Sequence, residues 1–386
     1  MAKPGTRRDG ALRRALDLLE KVPLVDGHND LPWVIRRDPI ARGDVLKYDL
    51  ARRHNDGDTD IPRLRQGRVG GQIWAAYVPT DIEHPARSVL EQIDIILRIN
   101  AAHPNVFLPA TRAADIGRAK RTGKIASIMA VEGGVGLENS LSPLRVWHAA
   151  GARLMTLCHN GTLDWVDSAT DAPRHGGLTE FGRAVVRELN RLGMIVDCAH
   201  VSPDVMRQVL EVSTAPIVFS HSNARGLCDH PRNVPDDVLE LIKKNGGVVM
   251  VNFYSGFITP EGARLTRDMF QVGRDLKEKY PDEKEFQAAM EQYRKEHPIP
   301  TGSVHDVVDH IEHIIQVAGV DHVGLGSDFD GINSTPKQLE DVSCYPYITQ
   351  ELLNRGHSKE DIQKVLGLNI LRVMREAEQT AKDWKK

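Results

Sequence analysis

Six apolar runs in this 386-residue chain stop at a residue able to bind a metal ion or move a proton. Leu24-Val25-Asp26-Gly27 leads into His28 and Asp30, Ile128-Met129-Ala130-Val131 into Glu132, and Leu154-Met155-Thr156-Leu157-Cys158 into His159. Ile195-Val196-Asp197-Cys198-Ala199 leads into His200, Ile217-Val218-Phe219-Ser220 into His221, and Val323-Gly324-Leu325-Gly326-Ser327 into Asp328. One histidine after an apolar run is ordinarily a hydrogen-bonded core or loop residue. Repetition at the same end of successive strands is another matter, because scattered core residues have no reason to be correlated in that way. Nitrogen and carboxylate donors without clustered thiolates favour zinc, with manganese or cobalt as alternatives.

His28-Asn29-Asp30 is the most specific local piece. Residues i and i+2 of an extended segment point to one side, so this pair can grip a single ion together. His28, Asp30, Glu132, His200 and His221 outnumber the ligands that one catalytic zinc with an open position needs. Two ions fit better, with His28 and Asp30 on one, His200 and His221 on the other, and Glu132 bridging. Such a pair lowers the pKa of a bridging water and polarises a carbonyl, which is equipment for hydrolysis.

The elements that must position these groups are strands alternating with amphipathic helices, the pattern that builds a parallel sheet. Strands are predicted over Val22–Asp26, Gln72–Val78, Lys124–Val131, Arg153–Cys158, Met194–Ala199, Pro216–Ser220, Gly247–Asn252 and Asp321–Gly326. Helices are predicted over Pro85–Ala102, Leu178–Leu192, Pro203–Val212, Pro235–Lys244 and Val304–Ala318, three of them opening with proline. Eight strands point to an α/β protein with a closed (β/α)8 TIM barrel, whose strand ends converge on one mouth. Gly133-Gly134-Val135-Gly136 fails the spacing of a dinucleotide fingerprint. Residues 261–300, with 17 of 40 charged, read as a solvated helical insertion before the last strand, either a lid or dimer contact or a decoration of the surface. Ser358 to Lys382 reads as one or two helices closing the barrel, and the whole chain, 1–386, as one domain.

Composition removes several functions. Fifty basic against fifty-three acidic residues leave a net charge of −3, which argues against nucleic acid as a partner. A mean hydropathy of −0.35 and no apolar stretch of about 18 residues argue against a membrane span. The first twenty residues lack a secretory h-region, so a cytoplasmic location is expected. Cys158, Cys198, Cys228 and Cys344 form no CxxC pair, and two of them sit in apolar strand-like runs where a reduced, buried thiol is expected, so a zinc-finger or disulfide framework is not.

Asp26-Gly27-His28-Asn29-Asp30-Leu31-Pro32, Val131-Glu132-Gly133-Gly134, Ser220-His221-Ser222-Asn223-Ala224-Arg225 and Gly326-Ser327-Asp328-Phe329-Asp330-Gly331 resemble stretches of the membrane (renal) dipeptidase family, a dizinc branch of the amidohydrolase superfamily. Similarity in Gly247–Tyr254 and Leu339–Ser343 extends the resemblance over nearly the whole chain. It implies a zinc-dependent dipeptidase using a metal-bridging hydroxide, often tolerant of a D-residue at the C-terminal position. His28, Asp30, Glu132, His200 and His221 match metal ligands of two zinc ions, and Glu132 matches the bridge. His159 matches the group that polarises the scissile carbonyl or stabilises its oxyanion. Arg232, in Asp229-His230-Pro231-Arg232-Asn233, matches the clamp for the substrate carboxylate, and Asp328 the acid/base group that also meets the free amine. Tyr254 joins the substrate-binding set, and a homodimer is common in that family.

Those roles have independent physical sense. A guanidinium pairs bidentately with a carboxylate, and a carboxylate can carry a proton from attacking water to a departing amine. Competing readings are a related hydrolase acting on a lactone, a β-lactam or an N-acyl amino acid, and a barrel that holds metal without turnover. His305, His310 and His313, with Asp309 and Glu312, are expected on a solvated helix face. His230 gains no role from its spacing, and Trp33 and Trp165 are expected either to line the pocket or to serve as aromatic packing.

Overall fold

The computed structural model describes residues 4–384. Nine parallel strands form its sheet: β1 Leu24–Asn29, β2 Val69–Tyr77, β3 Phe107–Pro109, β4 Ile125–Glu132, β5 Ala152–Thr156, β6 Ile195–Asp197, β7 Val218–Phe219, β8 Val248–Val251 and β9 Val323–Leu325. Eight of them close a ring in the order β2-β1-β9-β8-β7-β6-β5-β4, sealed by the β2–β4 pairing. With helices around it, this is a (β/α)8 TIM barrel, as the strand pattern predicts. The ninth strand, β3, was not predicted. β2 occupies one edge of β4 from Ala126 to Glu132, and β5 takes the other edge only from Met129 upward. β3 fills the remaining length, Ile125 to Ser127, and stays outside the ring.

Alternation along the strands decides what faces the interior. Val25, Ile73, Ala126, Ile128, Ala130, Leu154, Val218, Val248 and Met250 form one buried cluster with Ile370, Leu371, Val373 and Met374 of the helix Asn369–Asp383. That C-terminal helix therefore covers the barrel's lower end, as predicted for the last segment. The larger apolar cluster lies between the strands and the surrounding helices. Glu132 continues the parity of Ala126, Ile128 and Ala130, so it emerges inside the barrel at the upper rim.

β1 begins two residues later than predicted and runs through His28. Against β2, Asp26 pairs with Gln72 and Asn29 with Trp74, so β1 carries one extra residue there. By parity with Leu24, His28 would face outward; this bulge re-aims it. Asp30 is not part of the extended segment. It is the N-cap of the helix Leu31–Arg37, whose Pro32 sets the helical turn, so His28 and Asp30 meet across a strand–helix junction and not by i, i+2 alternation within one extended segment.

Between β8 and the helix Val304–Ala318 the chain forms two helices, Pro260–Lys279 and Glu283–Glu296. Thr259 caps the first, accepting from the Gly262 amide, and Asp282 caps the second. This hairpin leaves from the upper rim and is a wall of the cavity there, not a surface decoration. One polar-face expectation is also corrected: His310 is 1% exposed, and its Nδ1 accepts the Ala224 amide at 3.1 Å. No helix among the described residues is long and apolar enough to cross a membrane.

Candidate active site

At the upper rim the separate strand ends converge. Asp30, Glu132, His159, His200, Arg232, Tyr254 and Asp328 all line one cavity of about 990 Å³. His28 and His221 lie directly behind its surface, their rings 3.9 Å apart. All nine residues singled out from the sequence are thus gathered in one place.

Glu132 stands at the centre with its two carboxylate oxygens facing different neighbours. Oε2 lies 3.3 Å from His28 Nε2, which is 3.2 Å from Asp30 Oδ2. Oε1 lies 3.1 Å from His200 Nε2 and 3.6 Å from His221 Nε2. The same donors form three overlapping groups that could hold an ion: His28 with Asp30 and Glu132, Glu132 with His159 and His200, and His28 with His221 and Asp328.

Outer hydrogen bonds fix the histidine tautomers. Asp197 Oδ2 accepts from Ser220 Oγ at 2.7 Å, so that hydroxyl accepts in turn from His221 Nδ1, also at 2.7 Å. Asn160 Oδ1 accepts from His200 Nδ1 at 3.1 Å. Both Nε2 atoms are left as bare lone pairs, 2.9 Å apart and facing a carboxylate. Burial, reinforced by nearby positive groups, holds both rings far below the usual histidine pKa, in the neutral form that ligates metals. His28, 1% exposed, has no hydrogen-bond partner at Nδ1 and turns Nε2 to the Asp30 and Glu132 oxygens, whose charges outweigh burial and hold its pKa well above the usual histidine value, and Asp30 Oδ1 has no partner. Buried polar atoms without partners are rare, and lone pairs crowded together repel. The donor set fits divalent cations.

Asp328 accepts from Asn252 Nδ2 at 2.8 Å, and burial with the Asp30 and Glu132 charges pushes its pKa up to about 7. His200 and Asp328 both have positive φ, 69° and 67°, an uncommon conformation that His and Asp adopt more readily than most residues. Burial, with smaller effects from Arg232 and His28, pushes His159 down to about 4; at neutral pH it is an uncharged ring with an N–H to donate.

Arg232 is 2% exposed. Its guanidinium donates to the His221 carbonyl at 3.2 Å and Ser222 Oγ at 3.4 Å and lies 5.5 Å over the Phe257 ring. No carboxylate among the described residues is within ion-pair distance of it, so a buried cation faces the cavity without an anion. Its backbone N–H is held by His230 Nδ1 at 3.1 Å, giving that histidine a place its spacing did not reveal.

Sequence reasoning also missed Tyr77, which lines the cavity with its ring centroid 4.7 Å from that of His159. Parity with Gly71 and Ile73 on β2 could have found it, as parity with Val248 and Met250 could have found Asn252. Trp33 lines the cavity, whereas Trp165 is buried against Phe181 instead.

The sequence model of the membrane dipeptidase family, peptidase family M19, matches residues 12–386. Dipeptidase 3 of Mus musculus is 39% identical over 373 residues, 95% of this chain and 66% of that protein. Dipeptidase 3 of Macaca fascicularis is 39% identical over 98% of this chain and 70% of its own length. The chain thus spans about two thirds of the length of these relatives. The crystal structure of the probable dipeptidase PvdM from Pseudomonas aeruginosa superimposes with a TM-score of 0.83 at 26% identity, covering 97% of this chain and 100% of that one. With the strand-end donors gathered at one barrel mouth and the match running from residue 12 to the last, the chain belongs to the membrane dipeptidase family, peptidase family M19.

Proposed function

We propose that the protein hydrolyses dipeptides at a pair of zinc ions, His28 and Asp30 holding one, His200 and His221 the other, and Glu132 joining them. One observation carries this reading: the two oxygens of Glu132 face two separate donor sets within a cavity that also contains the buried guanidinium of Arg232, which no carboxylate of the described residues ion-pairs. When bound, such ions supply Lewis acidity that makes water nucleophilic near neutral pH and polarises a carbonyl.

The chain's own groups do the rest. Arg232 pairs with the free carboxylate of the substrate, a bidentate contact that places the scissile bond at a fixed distance and disfavours peptides extended beyond it. His159, neutral in its buried setting, donates a hydrogen bond to the oxygen that gains charge in the transition state. Asp328, oriented by Asn252, takes a proton from attacking water and delivers it to the departing amine.

The test is a dipeptide panel, including L-L and L-D pairs, on zinc-reconstituted protein, with Asp328→Asn alongside. Wild type is expected to turn over dipeptides, and the variant to retain metal while losing about 10²–10⁴ of the rate. Absence of dipeptide turnover in metal-loaded wild type, or nearly full activity in the variant, would overturn the reading.

A further inference from the structure

The cavity is larger than a small dipeptide requires; at about 990 Å³ it stands at the top of the roughly 300–1,000 Å³ range of sites for drug-sized ligands. The extra space is walled by the helical hairpin. Phe270, Arg274 and Lys277 recur at helical spacing on Pro260–Lys279, as do Phe286, Met290 and Arg294 on Glu283–Glu296. Glu261, Asp268, Asp275 and Glu278 on the first helix, and Glu285, Glu291 and Glu296 on the second, stay off the cavity wall, as do Arg264, Arg267, Lys279 and Lys295; the charged groups that the described hairpin residues bring to the wall are Arg274, Lys277 and Arg294, beside Thr266 and apolar groups.

Two of those cations lack an acidic partner. Arg274 donates to the Thr170 carbonyl at 2.9 Å and to Gln271 Oε1 at 2.6 Å, and among the described residues no carboxylate lies within ion-pair distance of Arg274 or Arg294. Both are exposed at the rim, where an incoming anion can reach them. The hairpin meets the carboxylate-clamp end of the site: Phe270 lies 5.9 Å from the ring of His230, which holds Arg232.

We propose that the hairpin forms an outer compartment for the side chain of the substrate's C-terminal residue, selecting a long side chain with an apolar stem and an anionic end. Phe270, Phe286 and Met290 contact the stem, and Arg274 and Arg294 receive the anion. This rests on the dipeptidase reading, so its test is chosen to separate the two.

The probes are Nε-succinyl-lysine and Nε-acetyl-lysine, each the C-terminal product of a long dipeptide, with matched stems and different end charge. Calorimetry on the zinc-loaded full chain is expected to give about fivefold tighter binding of the succinyl compound at low salt, a preference that shrinks as salt screens the exposed arginines. Arg294→Gln and Arg274→Gln together are expected to bring the ratio near one; both side chains are exposed, so the fold is not at risk. Equal binding by wild type, no binding of either probe, or a preference that survives both substitutions would overturn the compartment. Turnover of L-Ala-L-Ala, followed separately, reports on the dipeptidase reading alone.

Discussion

Gly331 packs against the carboxylate of Asp30: a Cβ at this position would overlap Asp30 Oδ2 and lie 2.6 Å from Asp328 Oδ1. A hydrogen atom is all that the two carboxylates leave room for. Gly331→Ala is expected to displace one of them and weaken zinc binding about 10–100-fold, the usual cost of disturbing the groups that orient ligands. Chelator competition checks this, and an unchanged affinity would refute it.

Ser220 is the link between Asp197 and His221. Ser220→Ala removes the acceptor that keeps the His221 proton on Nδ1, so Nε2 is no longer reserved for metal. Zinc affinity is expected to fall about 10–100-fold. Asp197 still accepts from Thr156, from the Ala199 amide and from the Ser220 amide, so the melting midpoint of the metal-free variant should stay close to wild type. Unaltered zinc affinity would show that this hydroxyl does not set the tautomer.

For Arg232→Ala the expected change is a KM at least about tenfold higher for free dipeptides, with a much smaller change for C-terminally amidated analogues, which never had the carboxylate. Steady-state kinetics on both series decides it. Equal losses would mean that Arg232 supports the wall of the site and not the substrate.

Asp26 is fully buried beneath the site and accepts from the Ser327 amide, Ser327 Oγ and Gln72 Nε2. Burial outweighs these donors and pushes its pKa from 3.8 up to about 6. The folded state therefore keeps a proton that the unfolded chain releases, so this contribution to stability is full below pH 3.8 and is lost as pH rises through about 6. At about 1.4 kcal/mol per pKa unit the loss approaches about 3 kcal/mol. Asp26→Asn cannot ionise, and Gln72, whose Oε1 has no partner, can turn over to accept from the new amide. Denaturant titrations at pH 4 and pH 7 should show the variant gaining on wild type as pH rises. A constant difference would mean that Asp26 is ionised in the fold across that range.

How much of the site could be read beforehand differs residue by residue. Glu132 was legible twice, from its chemical type at a strand end and from its parity with Ala126, Ile128 and Ala130. His28 was legible by type only. The bulge that turns it inward is a property of β1 paired with β2, and no spacing within β1 shows it. His310 was misread as solvated because its neighbours Asp309 and Glu312 are polar; the Ala224 amide that it accepts is 86 residues away.

The sequence by itself determined which donors stand at the strand ends, that alternating apolar runs would build a parallel barrel, and that the donors match one family's motifs. These are local facts, set by side-chain type and by the period of the backbone. Tertiary structure alone decided that the two oxygens of Glu132 face different donor sets, that Arg232 is buried with no carboxylate of the described residues at ion-pair distance, and that the charged hairpin turns Arg274, Lys277 and Arg294 toward the cavity. Each of these depends on which distant surfaces exclude water together, and burial of that kind has no period along the chain.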